Sequence, residues 1–560
     1  MNHEKSGDAL TIDVATGIAR ILKQEGVEQV SVFPSCRVNN ALGREGIPMV
    51  MMRDDRYAVA VADAYSRVTA GERIGVCTVY GGVNAAGLQY AYPGLAQAYE
   101  DNSPVLCITD GAPIGSSENS HFDIISSLKS VSKWYGYVDS PERIPEFMRR
   151  AFSMLRNGRP GPVILAIPDP TGQYDETVDP YTPVKAYKSV PDPADVTTAI
   201  DLLLKAERPL VYAGEGAIYA GASAELKAFA ELANTPVITT LKAKGVMPED
   251  HPLFVGVRGD HPAEYLFKSD LILSVGSSLS PGRFSHAIPN AVKKTIIQCN
   301  ISELDINKVY ETNHALIGDA RLTLQALIDE LSAQTSGGGR SSPNIHGEIA
   351  ASREAGLAKY QQLMTSNDTP INPYRVYAGM MEVLDPQNSF VTHESGTTRD
   401  QLSTVYDTLI PRGFLGWGNV STLGFSLAGA VASRLAFPER HAVAVTGEAG
   451  LAYMLGNLEA AVRHEIGITV VHISNGGFAG YGPGFWGDGH NPYTHVVLGP
   501  DEVDMTKAIG EFGLYTERVT EPVDIVGALE RALAANDKGR PSYIEFVCQQ
   551  YPVFGQWVTS

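Results

Sequence analysis

The chain has 560 residues, 44% of them hydrophobic and 19% charged, with a formal net charge of −19. That length exceeds what a single core organises, and at roughly 150 residues per domain it predicts three or four domains. The acidic balance argues against nucleic-acid binding as the main role, and 55 glycines among alternating strand-like and helix-like segments point to α/β layers in a soluble enzyme.

The start, MNHEKSGDALTIDVATG, is polar, and no later apolar run reaches the roughly 18 residues that span a bilayer. A cytoplasmic protein without a membrane partner is expected. Apolar segments at Gln29–Phe33, Pro48–Met52, Ile74–Val79 and Val105–Thr109, with helical periodicity over Tyr57–Val68, predict a parallel sheet with crossover helices in a first domain, residues 1–182. Asp169–Pro193, rich in Pro, Asp and Tyr, reads as a connector. A second domain, 194–333, carries strands near Pro209–Ala213, Val237–Thr240, Leu271–Val275 and Thr295–Asn300. Gln334–Asn344, with SGGG inside it, is flexible by composition and opens a linker over 334–371. The third domain, 372–560, carries strands near Ser389–Thr392, His441–Thr446, Gly467–Ile473 and Ser542–Val547. The first and third domains are similar in size and pattern. Cys36, Cys77, Cys107, Cys299 and Cys548 are scattered, which predicts buried reduced thiols.

The most informative stretch is Ala442–Tyr481. An apolar strand ends at Thr446, a Gly-Glu-Ala-Gly turn follows, Leu455–His464 has helical character, and a second strand ends at Ser474-Asn475-Gly476-Gly477. Both turns then lie at the carboxyl ends of neighbouring strands, where open α/β sheets bind ligands. Ala449 and Gly450 let backbone N–H groups approach a phosphate, and Glu448 with the Asn475 amide oxygen offers hard oxygen ligands to Mg²⁺. Two ordinary strand–helix turns have the same composition.

This stretch resembles the cofactor motif of the thiamine diphosphate-dependent enzymes (acetolactate synthases, 2-keto-acid decarboxylases and benzaldehyde lyase-like enzymes), which opens Gly-Asp-Gly and closes Asn-Asn. Gly447-Glu448-Ala449 stands at the opening and Ser474-Asn475 at the close, 475 − 448 = 27 positions apart. The resemblance implies Glu448 and Asn475 as metal ligands with the Gly477 carbonyl as a third. It also implies cofactor contacts from Gly447, Ala449, Gly450, Gly477 and Phe478. Pro48–Arg67 resembles the family segment whose catalytic Glu falls on Asp55; that carboxylate would activate the aminopyrimidine ring. Asp54 and Asp55 also suit the start of the helix near Tyr57. Cys77–Ala86 aligns with the turn beside the substrate. His121 stands in a loop that approaches the active centre and is a candidate proton carrier. Glu394-Ser395-Gly396-Thr397 resembles the loop that receives the diphosphate. In Trp417–Leu423, the resemblance implies that Ser421 offers its carbonyl to the 4′-amino group. Leu423 would wedge the two cofactor rings apart. Phe478–His490 resembles a closing lid, with Tyr481, Trp486 and His490 as candidate substrate contacts.

The resemblance implies an α/β fold of three doubly wound parallel-sheet domains: pyrimidine-binding, central and diphosphate-binding. It implies thiamine diphosphate and Mg²⁺ as cofactors, a homodimer or homotetramer with sites between subunits, and a carboligase or decarboxylase of a 2-keto acid working through ylid and enamine intermediates. A C–C lyase on 2-hydroxy ketones or 2-hydroxyacyl substrates would use the same site. A cofactor-binding regulatory protein without turnover is the reading from a different class, motivated by Asp where Glu is usual at 55 and Glu where Asp is usual at 448. A third reading is an enzyme whose main ligand sits in the central domain. No full dinucleotide fingerprint appears there, so FAD is not expected.

Overall fold

A computed structural model describes residues 11–82, 84–113, 123–282, 284–341, 345–477 and 503–559. The candidates His121, Phe478, Tyr481, Trp486 and His490 lie outside the described residues.

Three six-stranded sheets, each wholly parallel, form the frame. The first runs Met49–Met51, Val30–Val32, Gly75–Val79, Val105–Asp110, Val163–Ile167, Trp134–Tyr137 across its width. Numbered along the chain, its order is 2-1-3-4-6-5. The last sheet runs Phe414–Gly416, Ser389–His393, His441–Thr446, Thr469–Ser474, Ser542–Val547, Tyr515–Val519 and has the same order, 2-1-3-4-6-5. The similarity of pattern between the first and third blocks is thus a shared topology. The middle sheet is different: Phe254–Gly256, Val237–Thr239, Pro209–Ala213, Leu271–Val275, Thr295–Asn300, His314–Ile317, an order of 3-2-1-4-5-6.

Inner strands are short runs such as VILAI (Val163–Ile167) and LILSV (Leu271–Val275), buried along their length, as expected where helices cover both faces. Helices start on the residues chemistry favours. Asp54 accepts from the Tyr57 N–H at 2.8 Å at the head of Asp55–Val68, and Asn372 caps Pro373–Val383 with proline in the first turn. All five cysteines are free and buried. Among the described residues no helix is long and apolar enough to cross a membrane.

The connector adds a strand that composition did not signal: Gln173–Asp175 pairs antiparallel with Thr11–Asp13. The span read as a linker holds a 20-residue helix, Ile345–Met364. It buries Ile349 and Tyr360, and Tyr360 packs on Tyr374 with ring centroids 5.4 Å apart.

By contact, the chain divides into two compact units. One holds the sequence up to Tyr187 together with Gly418–Thr422, and the other holds Lys188–Trp417 together with Leu423 onward. Within the second, the middle and last sheets are tied by buried ion pairs, Arg412 to Glu215 at 2.9 Å and Arg258 to Asp400 at 2.6 Å.

Candidate active site

In the last sheet the chain turns outward after its first strand, then returns to build the third strand on the other side. The crevice of such a sheet lies between those two strands, Ser389–His393 and His441–Thr446. The segments leaving them at their carboxyl ends are Glu394–Thr397 and Gly447–Gly450, two of the segments singled out in the sequence. The neighbouring strand Thr469–Ser474 delivers Asn475 to the same end.

Here Glu448 and Asn475 meet. One Glu448 carboxylate oxygen accepts from the Asn475 N–H at 2.6 Å and from the Gly476 N–H at 2.7 Å. The Asn475 side-chain oxygen accepts from the Gly477 N–H at 3.4 Å, closing a turn in which Gly476 and Gly477 have φ of 80° and 135°. Burial pushes the Glu448 carboxyl above its usual range, against the pull of these N–H groups. Among the described residues no three His, Cys, Asp or Glu side chains gather as a metal cluster. A metal at this turn would be held by one carboxylate, one amide oxygen and backbone oxygen, the hard set that Mg²⁺ takes together with phosphate and water. The donor chemistry therefore fits the implied group.

The loop Glu394–Thr397 fits an anion as well. Gly396 and Gly447 both face open space, where an added Cβ would meet nothing within 4 Å. Gly396 heads the nine-residue helix Thr397–Val405 without any side-chain cap, so first-turn N–H groups remain for an anion. In that turn the Thr398 hydroxyl is buried with no hydrogen-bond partner. Sequence reading stopped at Thr397 and missed Thr398, whose only signal was its place in the ESGTT segment.

The Glu394 side chain, at the start of that loop, is held within the protein: its two oxygens accept from the Gly424 N–H at 3.1 Å and the Ser426 N–H at 2.7 Å. Those amides start the helix Phe425–Ala436, which has no side-chain cap of its own. Burial raises the Glu394 carboxyl to about 7. Leu423, immediately before this turn, is only half-buried for an apolar residue.

In the other unit, Asp55 is the first residue of the helix Asp55–Val68 and is 5% exposed. Its carboxylate accepts from the Tyr80 N–H at 3.3 Å, in the turn after the strand Gly75–Val79. Gly87 leaves room for it, since a Cβ there would sit 2.6 Å from the same oxygen. Burial raises the Asp55 pKa. Of the Asp54-Asp55 pair, Asp54 is the helix cap, and the Asp55 carboxylate turns to the Tyr80 N–H instead. Ser421 has φ of 66° in the loop Gly418–Thr422. That loop is seated on a fully buried polar cluster: Asn419 N–H donates to Asp101 at 3.3 Å, the Thr422 hydroxyl bonds the Gln97 carboxamide, and Gln97 donates to Asp63 at 3.1 Å. Neither Asp101 nor Gln97 was picked out by sequence.

Three family models match along the chain: thiamine pyrophosphate enzyme, N-terminal TPP binding domain, over residues 12–130; thiamine pyrophosphate enzyme, central domain, over 196–327; and thiamine pyrophosphate enzyme, C-terminal TPP binding domain, over 394–546. The chain belongs to the thiamine pyrophosphate enzyme family, with thiamine diphosphate (the same compound) as its cofactor. It is 29% identical to a probable acetolactate synthase large subunit of Methanocaldococcus jannaschii, over 93% of this chain and 90% of the relative. It is 27% identical to a glyoxylate carboligase of Escherichia coli O157:H7, over 95% and 92%, and 25% identical to acetolactate synthase isozyme 3 large subunit of Escherichia coli K12, over 94% and 93%.

Proposed function

We propose that the protein is a thiamine diphosphate- and Mg²⁺-dependent carboligase or decarboxylase of 2-keto acids, similar in action to acetolactate synthase. The observation that carries this reading is the meeting of Glu448 and Asn475 at the crevice of the last sheet, beside the open, uncapped loop Gly396–Thr398. Bound thiamine diphosphate supplies a carbon nucleophile and an electron sink for breaking and making the bond next to a ketone.

The protein's residues supply position and charge. Glu448, Asn475 and the Gly477 carbonyl hold the metal. The backbone of Ser395, Gly396, Thr397, Gly447, Ala449 and Gly450, with the Thr398 hydroxyl, receives the diphosphate. Leu423 would pack against the cofactor, and the Ser421 carbonyl would be offered to its amino group. Asp55 would share a proton with the aminopyrimidine ring, and the burial that raises its pKa favours holding that proton. His121 and Phe478 are assigned by the resemblance alone, as proton carrier and cofactor contact. The boundaries 1–182, 194–333 and 372–560 serve as the pyrimidine-binding, central and diphosphate-binding domains. The working form is a cytoplasmic homodimer or homotetramer with each cofactor held between subunits.

Calorimetric titration with thiamine diphosphate, with and without Mg²⁺, tests the binding half; exchange of the cofactor's C2 proton, followed by NMR, tests activation. The second reading, a cofactor-binding protein without turnover, is favoured by one observation: the short Asp55 carboxylate already holds the Tyr80 N–H. Metal-dependent binding without C2-proton exchange would select it. Cleavage of an acyloin without consumption of any 2-keto acid would select a C–C lyase.

A further inference from the structure

Glu394 is an acidic side chain in a loop that, on the reading above, meets an anion. A carboxylate beside a diphosphate is electrostatically unfavourable, so its place there asks for another task. Its geometry supplies one. The residue directly follows the first strand of the last sheet, where its own N–H donates to the Val445 carbonyl of the third strand at 3.1 Å. Its carboxylate reaches across to the Gly424 and Ser426 amides and supplies the cap that the helix Phe425–Ala436 lacks. Gly424 has φ of 92°, a conformation that commits this turn to glycine and fixes the exit direction of Leu423 before it. On the third side lies the metal turn: a Cβ on Gly450 would come within 2.5 Å of the Glu394 Cγ and 2.9 Å of its Cδ. One side chain, 1% exposed, thus touches the segments that carry the diphosphate, the ring wedge and the metal.

We propose that Glu394 is a positioning residue that acts through the Leu423–Gly424 turn to set the wedge, and is not a ligand of the diphosphate. This rests on the cofactor reading above. A positioning role and a ligand role separate by what they change. Loss of a ligand weakens cofactor binding, whereas loss of position slows activation of cofactor that is already bound.

The test is Glu394→Gln, which keeps the shape but sets an amide N–H₂ against one of the two N–H donors and leaves its oxygen to accept from the other. In the cofactor-free protein, hydrogen–deuterium exchange of peptides spanning Leu423–Leu427 should lose protection. At saturating cofactor and Mg²⁺, C2-proton exchange should slow by about 10–100-fold, while the Kd for thiamine diphosphate shifts by less than about threefold. Glu394→Asp, which keeps the charge but draws it back from the two amides, should slow exchange in the same direction and serves if the glutamine variant does not fold. A Kd weakened about tenfold or more with wild-type exchange at saturation would overturn the proposal in favour of a direct ligand. Unchanged peptide protection would overturn it too. If the wild-type protein itself exchanges no C2 proton, the cofactor reading fails, and the protection measurement still decides the Glu394 contact.

Discussion

The Glu448 carboxylate accepts the backbone N–H of Asn475 at 2.6 Å, so the protein's own hydrogen bonding joins the two proposed metal ligands. The longer side chain makes this possible: Asp would fall short by about 1.5 Å. Glu448 therefore organises the turn, and on the proposed function it would also offer its charge to a metal. Replacing it by Gln removes the charge and keeps the length. The expected result is a metal-dependent affinity for thiamine diphosphate lower by about tenfold or more, read by calorimetry across Mg²⁺ concentrations. Affinity equal to wild type at every Mg²⁺ concentration would remove Glu448 from the metal site.

Asp55 is the candidate activating carboxylate. Asp55→Ala should abolish C2-proton exchange and leave metal-dependent cofactor binding largely intact. NMR exchange in deuterated buffer decides this, and an unchanged rate means that another group activates the ring.

Thr398 offers a cleaner probe of the diphosphate loop, because its buried hydroxyl has no protein partner to lose. Thr398→Val should weaken thiamine diphosphate binding by about 3–10-fold and leave the melting temperature of the cofactor-free protein within about 1 °C. A drop in cofactor-free stability without a change in Kd would mean that the hydroxyl serves the fold.

Acid stability should report the buried histidines of the second unit. Burial pushes His261 down to about 3, and its Nδ1 has no partner. The unfolded chain binds this proton near 6.5 and the folded chain near 3, so stability is full above pH 6.5 and falls as pH drops toward 3. His261→Leu should flatten that fall, with a difference of about 1–2 kcal/mol between pH 7 and pH 5 relative to wild type. Denaturant titrations at the two pH values measure it, and parallel losses in both proteins would contradict it.

Much of the frame was legible in the sequence for a physical reason. Pro209–Ala213, Leu271–Val275, His441–Thr446 and Ser542–Val547 are inner strands with helices on both faces, so they appear as apolar runs with clear ends. The half-exposed edge strands Trp134–Tyr137 and Tyr515–Val519 carry mixed residues and gave no such signal. Val163–Ile167 passed unnoticed despite its apolar run. The pairing of Thr11–Asp13 with Gln173–Asp175 joins residues far apart in sequence, which periodicity does not encode. At the candidate site, residue types and spacing singled out Glu448 and Asn475, and the family resemblance singled out Glu394–Thr397. They said nothing of where the Glu394 side chain turns, or that Asp101 and Gln97 seat the Ser421 loop, because those contacts depend on how strand ends converge.

The central claim is chemical: the protein, with thiamine diphosphate and Mg²⁺, consumes 2-keto acids. The direct measurement is parallel quantification of keto acid consumed, CO₂ released and coupled product formed, with pyruvate and glyoxylate offered singly and together. The account predicts cofactor-dependent consumption, with one CO₂ released for every two keto acids joined if carboligation dominates and one for each if decarboxylation does. No consumption of any 2-keto acid by protein shown to be saturated with cofactor and metal would contradict it.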